Sequence, residues 1–319
     1  MMFIYPRKLF SKPLSSALVA LMLACAAPVW ADNQAQYQQA VTEYNAGHYS
    51  EVLRLLQPLA EQGDAEAQYK LGLMYANGQG VAQDYQQAFS WFQKSANQGY
   101  ANAQYALGDL YFYGQNVTQD YQQAIVWYQK AAVQGYDVAQ YTLGKIYEQG
   151  QGVTQDYQQA LIWYEKSANQ GYDVAQYKLG EIYEQGQGVT QDYQQAIVWY
   201  QKAAVQGYDV AQYALGNMYR DGKGVVKDYQ QAKMWYQKVL EQPDTLINTV
   251  IKPIVRNDLQ ELENLQKNKK RGPSVIHLSK RPAVFSKLEY GGFLLANVSG
   301  SLKKRLGHSP AVSLSIEQA

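Results

Sequence analysis

Apolar and polar positions recur with a period of 36 residues between residues 64 and 243. In the first copy, Asp64 to Gly99, the residues Ala67, Leu71, Met74 and Tyr75 fall at i, i+4, i+7 and i+8. This spacing predicts one apolar face of an α-helix, termed helix A. Gly78-Gln79-Gly80 ends it, because glycine accepts the left-handed backbone of helix ends. A second helix, helix B, is predicted from Asp84, a good N-cap, with Gln87 completing a capping-box-like pair. Tyr85, Ala88, Phe92, Ser95 and Ala96 continue at helical spacing beside Trp91, and Gly99 stops the helix.

The pattern returns without insertion or deletion at 100–135, 136–171, 172–207 and 208–243. Tyr69, Tyr105, Tyr141, Tyr177 and Tyr213 align, as do Trp91, Trp127, Trp163, Trp199 and Trp235. Asn116 replaces the second loop glycine in the second copy. Gly72 recurs as Gly108, Gly144, Gly180 and Gly216 inside helix A, where glycine costs roughly 1 kcal/mol against alanine. Its repetition implies packing too close for a side chain. One hairpin cannot cover its aromatic residues, each of which buries about 150–250 Å². Stacked hairpins can, so the expected fold is all-α, a right-handed α/α superhelical solenoid of helix–turn–helix repeats.

The flanks read as caps. Residues 32–63 form a degenerate first hairpin, with Tyr44-Asn45-Ala46-Gly47 followed by Tyr49, Val52, Leu55 and Leu56 at helical spacing. Residues 244–266 suggest two capping helices, a short one over 245–252 interrupted at Pro253, then one carrying Val255, Leu259 and Leu262. The segment 267–319 loses the repeat and is expected to be a disordered tail.

Charge adds a division that the average conceals. The chain's net +1 divides into +3 over residues 1–31, +8 over 267–319 and −10 over the repeat body. The tail carries the basic clusters Lys269-Lys270-Arg271 and Lys303-Lys304-Arg305, which suit an anionic envelope surface or simple solvation. Arg7, Lys8 and Lys12 precede the apolar run Ser15 to Ala27, and Val29-Trp30-Ala31 offers a cleavage site. This reads as a signal peptide cut between Ala31 and Asp32, with a periplasmic or secreted product. Leu23-Ala24-Cys25 also permits an outer-membrane lipoprotein. Cys25 is the only cysteine, so cleavage after Ala31 leaves none for disulfides or thiol chemistry.

The unit read at Ala175 to Gly207, Ala-Gln-Tyr-x-Leu-Gly-x-x-Tyr-x-x-Gly-x-Gly-Val-x-x-Asp-Tyr-x-x-Ala-x-x-Trp-Tyr-x-Lys-Ala-Ala-x-x-Gly, resembles the Sel-one-like repeat, a relative of the tetratricopeptide repeat. The resemblance spans 64–243 and extends weakly over 36–63. It implies a scaffold or adaptor that holds another protein or peptide on a concave face lined by the A helices. Some secreted bacterial relatives are cysteine-rich and linked to penicillin-like compounds, which suggests β-lactam or cell-wall-fragment chemistry as an alternative. The paired cysteines of those relatives are missing here.

The residues point away from catalysis. The repeats contain no histidine, since His48, His277 and His308 all lie outside them. No residue set has metal-ligand spacing, and no cofactor is expected. Asp84, Asp120, Asp156, Asp192 and Asp228 stand at helix starts and read as caps. The Tyr and Trp ladders repeat at core spacing, and an acidic body disfavours nucleic acid. A monomer without a membrane span after signal removal is expected.

Specificity is sought where the copies differ. On helix A the positions of Glu66, Lys70, Leu73 and Asn77 vary and share one face, expected to lie opposite much of the core. The partner-binding candidates are Lys70, Leu73, Asn77, Asp109, Phe112, Tyr113, Lys145, Gln149, Lys178, Glu181, Gln185, Asn217 and Asp221. Tyr113, beside Phe112, is the foremost anchor among them.

Overall fold

The computed structural model describes residues 32–115, 117–243 and 246–271, apart from the side chains of 246–249 and 268–271. Residues 1–31, on which the expected signal peptide and Cys25 fall, residues 116 and 244–245, and the expected tail from 272 lie outside the described residues. The chain divides into two compact units, Met1–Gln98 and Gly99–Ala319, and each is taken by itself.

In the first unit, α1 spans 32–45 and α2 spans Tyr49–Glu61. They form the degenerate hairpin, and α3 (Ala65–Asn77) and α4 (Tyr85–Asn97) form the first full repeat. Val52, Leu55, Leu56 and Leu59 of α2 share one apolar core with Ala67, Leu71 and Met74 of α3. The second unit continues with α5 (Ala101–Tyr113), α6 (Tyr121–Val133), α7 (Asp137–Gln149) and α8 (Tyr157–Asn169). It then adds α9 (Asp173–Gln185), α10 (Tyr193–Val205), α11 (Asp209–Asp221) and α12 (Tyr229–Glu241). Helix α13 (Leu246–Arg271) covers the end. The described residues contain no strand, and consecutive helix pairs pack in tandem as an all-α solenoid.

Local chemistry sets the helix limits. Asp84, Asp156, Asp192 and Asp228 each accept from the backbone N–H groups two and three residues on, as Asp84 does from Gln86 and Gln87 at 2.8 and 3.0 Å. Asp120 accepts from Gln123. Two otherwise orphaned helix-start donors are thus satisfied by one carboxylate. Each A helix in the repeats ends on a left-handed glycine, with φ between 65° and 74° from Gly78 to Gly222. The turn is closed by the cap itself, whose N–H bonds back to helix A, as Asp156 does to the Tyr147 carbonyl at 2.8 Å.

The mid-helix glycines mark the closest approach in each repeat. A Cβ at Gly72 would stand 2.5 Å from the Phe92 ring, and one at Gly180 would stand 2.3 Å from the Tyr200 ring. Gly108, Gly144 and Gly216 receive Tyr128, Tyr164 and Tyr236 in the same way. These four tyrosines are almost wholly buried. Burial pushes the phenols of Tyr128, Tyr164 and Tyr200 well above the ordinary tyrosine pKa, so they stay neutral donors.

A second device joins one repeat to the next. Buried Gln140 donates to the Ala132 carbonyl at the end of the preceding helix B at 2.9 Å, and accepts from Gln170 of its own repeat at 2.7 Å. Gln176 repeats this with Ala168 and Gln206. In the last repeat Gln212 reaches the Ala204 carbonyl, but its Oε1 has no partner among the described residues. Pro243 follows there, and the Gln242 backbone turns extended instead of helical, so the usual clasp is not made.

The C-terminal cap differs from the sequence expectation. Pro253 does not interrupt it: α13 is one helix through Pro253, and it runs past Lys267 to Arg271. Proline removes one helical hydrogen bond, at about 3 kcal/mol in an isolated helix. Here Ile251 and Val255, on either side of it, are buried in a core with Tyr213, Tyr236 and Val239, and that packing holds the helix continuous.

Gly180→Ala is expected to lose about 1–3 kcal/mol of stability in urea denaturation, the cost of overpacking a filled site. Because the added methyl clashes with the Tyr200 ring, its penalty should shrink when it is made in a Tyr200→Leu background. Full additivity of the two losses would contradict this account.

Candidate functional site

The variable residues of the A helices form three registers. The residues at Leu73, Asp109, Lys145, Glu181 and Asn217 are half-buried, whereas Asn77, Tyr113, Gln149, Gln185 and Asp221 are exposed. A third register lies on the other side of the half-buried one, Ala76, Phe112, Glu148, Glu184 and Arg220, of which the sequence reading named only Phe112. It varies as much as its neighbours, and that variation was the available signal.

The buried phenols explain why these positions are polar. In the first unit the ring is Phe92, which has no hydroxyl, and α3 offers apolar Leu73 and Ala76. In the second unit every ring is a tyrosine whose hydroxyl needs a partner. Tyr128 donates to Asp109 at 2.7 Å, Tyr164 to Glu148 at 2.5 Å, Tyr200 to Glu184 at 2.8 Å and Tyr236 to Asn217 at 2.7 Å. The acceptor comes from either of two adjacent registers, so helix A varies while the phenol remains satisfied.

Ion pairs then tie successive helices of this unit together. Lys178 on α9 lies 2.9 Å from Glu148 on α7 and 3.6 Å from Glu181 on its own helix. Glu181 also accepts from Tyr177 at 2.9 Å. Lys223, just beyond α11, reaches Glu184 on α9 at 3.0 Å. Arg220 on α11 pairs with Asp221 at 2.7 Å and with buried Asp258 on α13 at 3.3 Å, and Asp258 accepts from Tyr213. Burial works against the Arg220 cation, but Asp221, Tyr236 and Asp258 hold its pKa above the ordinary value. Burial likewise opposes ionisation of Asp221, and the Arg220 contact outweighs it, leaving that carboxyl below its usual range.

This geometry corrects the expectation that the variable face lies opposite the core. Phe112 is buried, with its ring 5.1 Å from those of both Tyr113 and Tyr121. Lys178 is buried in its ion pairs. Asp109, Glu181 and Asn217 are partners of tyrosine hydroxyls, and Lys145 is half-buried. In the first unit Lys70 and Leu73 are half-buried and Asn77 is exposed. The accessible candidates of the second unit are therefore Tyr113, Gln149, Gln185 and Asp221, 41% of Tyr113 being open to solvent.

Among the described residues no group of three or more His, Cys, Asp or Glu side chains is placed to hold a metal ion, and no helix is long and apolar enough to cross a membrane.

A tandem array of α-hairpins with a constant core and a variable flank defines an α/α repeat scaffold, a class that is typically non-catalytic. The Sel1 repeat family model matches residues 65–100, 101–136, 137–172, 173–208 and 209–244, and the chain belongs to this family. It is similar to a Sel1 repeat protein from Oxalobacter formigenes, with 34% identity and a TM-score of 0.60 over 63% of this chain and 82% of that one. It is also similar to a protective antigen present in uropathogenic Escherichia coli strains and displaying an SLR fold, with 37% identity and a TM-score of 0.62 over 66% of this chain. It spans 46% of that second chain. No curated protein sequence matches it. Sel1 repeat proteins generally mediate protein–protein interaction.

Asp109 gives this row a measurable signature. Burial pushes its carboxyl up to about 7, against the lowering effect of hydrogen bonds from Tyr128 and Tyr105. Between the ordinary carboxylate range and pH 7 the folded chain keeps a proton that the unfolded chain has lost. Stability contributed at this site should therefore fall as pH rises through that window and stay level above it. Asp109→Asn removes the titration. Because Asp109 is partly accessible, the full shift is discounted for screening. The variant should be more stable by on the order of 1–2 kcal/mol at pH 8 and equal to the parent at pH 4. Parallel pH profiles of thermal unfolding for the two proteins would contradict the assignment.

Proposed function

We propose that this chain is a protein-interaction scaffold of the bacterial cell envelope, which holds a partner protein or peptide along the A-helix flank of its second unit. One observation carries the reading. On α5, α7, α9 and α11 the core residues Leu107, Leu143, Leu179 and Leu215 repeat unchanged, while the exposed register reads Tyr113, Gln149, Gln185 and Asp221. A rigid frame that presents different side chains at regular intervals suits recognition of an extended partner. Tyr113 supplies an aromatic anchor, and Gln149, Gln185 and Asp221 supply polar contacts. Catalysis is not part of this reading, because the row's charges are paired with one another and with phenols. The envelope location rests on the basic and then apolar N-terminal segment, and the similarity to a chain described as a protective antigen supports it.

A photo-crosslinking amino acid placed at Gln149 in cells should trap one or a few discrete protein partners, identifiable by mass spectrometry. Combined substitution of Tyr113→Ala, Gln185→Lys and Asp221→Lys should reduce that capture at least tenfold while leaving the circular dichroism spectrum unchanged. Undiminished capture by a natively folded variant would sink the proposal.

A further inference from the structure

Successive A helices of the second unit are linked in two ways. Toward their N-terminal ends the link is the same at every step. A tyrosine of one A helix meets the tyrosine that precedes the next: Tyr105 with Tyr136, Tyr141 with Tyr172 and Tyr177 with Tyr208, at ring separations of 5.4, 5.6 and 5.4 Å. Nearer the C-terminal end of each A helix the link changes from step to step. Lys178 of α9 holds Glu148 of α7 at 2.9 Å, Lys223 beyond α11 holds Glu184 of α9 at 3.0 Å, and Asp258 of α13 holds Arg220 of α11 at 3.3 Å. Each held residue directly precedes an exposed one, Gln149, Gln185 or Asp221. Holding it fixes the backbone that carries the exposed side chain.

Backbone packing leaves this second link room to act. The backbone of α9 packs chiefly against α8 and α10. Two A helices joined at one end by a ring contact are free to spread at the other unless a side chain ties them.

Two neighbouring repeats differ at little besides this tie. Residues 171–196 match 135–160 except that Lys178 stands for Thr142 and Glu181 for Lys145. Both changes fall in the ion-pair cluster, since Lys178 lies 2.9 Å from Glu148 and 3.6 Å from Glu181. One step earlier Phe112 and Thr142 take the places of Glu148 and Lys178. Both are buried, Thr142 is hydrogen-bonded to Tyr105, and Asp109 accepts from Tyr128. Asp109, Phe112, Thr142 and Lys145 at one step thus answer to Lys145, Glu148, Lys178 and Glu181 at the next. Stability alone does not explain the charged set. The Lys178 side chain is only 11% exposed, and removing a cation from water costs as much as a well-packed neutral side chain saves.

We propose that Lys178 and Lys223 are positioning residues: each ties one A helix to the next and fixes the spacing at which Gln149, Gln185 and Asp221 meet the partner. This rests on the A-helix flank being the partner surface. A flank already held at its binding geometry binds more tightly, because the ordering cost is met in advance.

The test uses the full chain with Cys25→Ser and spin labels at Gln149→Cys and Gln185→Cys, read by electron–electron dipolar spectroscopy. Partner capture is read separately in cells, from a photo-crosslinking amino acid at Gln149 in the unlabelled chain. Lys178→Thr should lengthen the mean label separation, at least double the width of its distribution and lower capture at least fivefold, with helicity unchanged. The fourfold variant Lys145→Asp, Glu148→Phe, Lys178→Thr, Glu181→Lys rebuilds the preceding step and should return the distribution to its parental width. If Lys178→Thr does not fold, Lys223→Gln supplies the same measurement with labels at Gln185 and Lys227, because its side chain is 45% exposed. An unchanged distribution in the folded lysine variants would overturn the proposal, and so would a widened one with undiminished capture. A parent chain that captures nothing would count against the flank as a partner surface and remove the positioning role with it. That failure is distinct, because it appears before any lysine is changed.

Discussion

Each repeat depends on one contact, the seating of a helix-B ring on a helix-A glycine twenty residues earlier. A single methyl group at that glycine would fall within van der Waals radii of the ring, so the two helices can approach only because the side chain is missing. The glycine weakens helix A on its own account. Burial of a large ring offsets that loss, and the requirement is renewed in all five repeats.

The ring's hydroxyl carries the consequence outward. Once Phe92 becomes tyrosine at 128, 164, 200 and 236, each copy must supply an acceptor from helix A, and three of the four are carboxylates. Carboxylates half-removed from water attract cations, so Lys178 and Lys223 follow as partners to Glu148 and Glu184. What looks from sequence like free variation on a solvated face is in good part compensation for buried phenols. The exposed register lies one step further out, at Tyr113, Gln149, Gln185 and Asp221. The reversal of charge at Arg220, where two earlier copies have glutamate, has a local cause: Asp258 of the capping helix already occupies that place.

The repeat period, the two helices in each unit, the aspartate caps and the glycine stops were all legible in the chain. They are decided by near neighbours and recur five times, so each copy checks the others. The role of Gln68 and its equivalents was less visible. A buried glutamine that clasps the preceding repeat resembles any polar helix residue until its carbonyl partner, eight residues away, is in view. The depth of Phe112 and Lys178 was likewise hidden, because helical spacing gives a direction around the axis and no measure of how far the neighbouring helix reaches.

The sequence by itself therefore determined the modules: where each helix starts and stops, which face is apolar, and that the units must stack. Those properties follow from backbone conformation and periodicity, which act over a few residues. Only the tertiary structure decided which polar side chains are buried against partners and which stand exposed. It also kept α13 whole through Pro253. Each of these outcomes depends on distances between helices remote in sequence, and packing sets those distances.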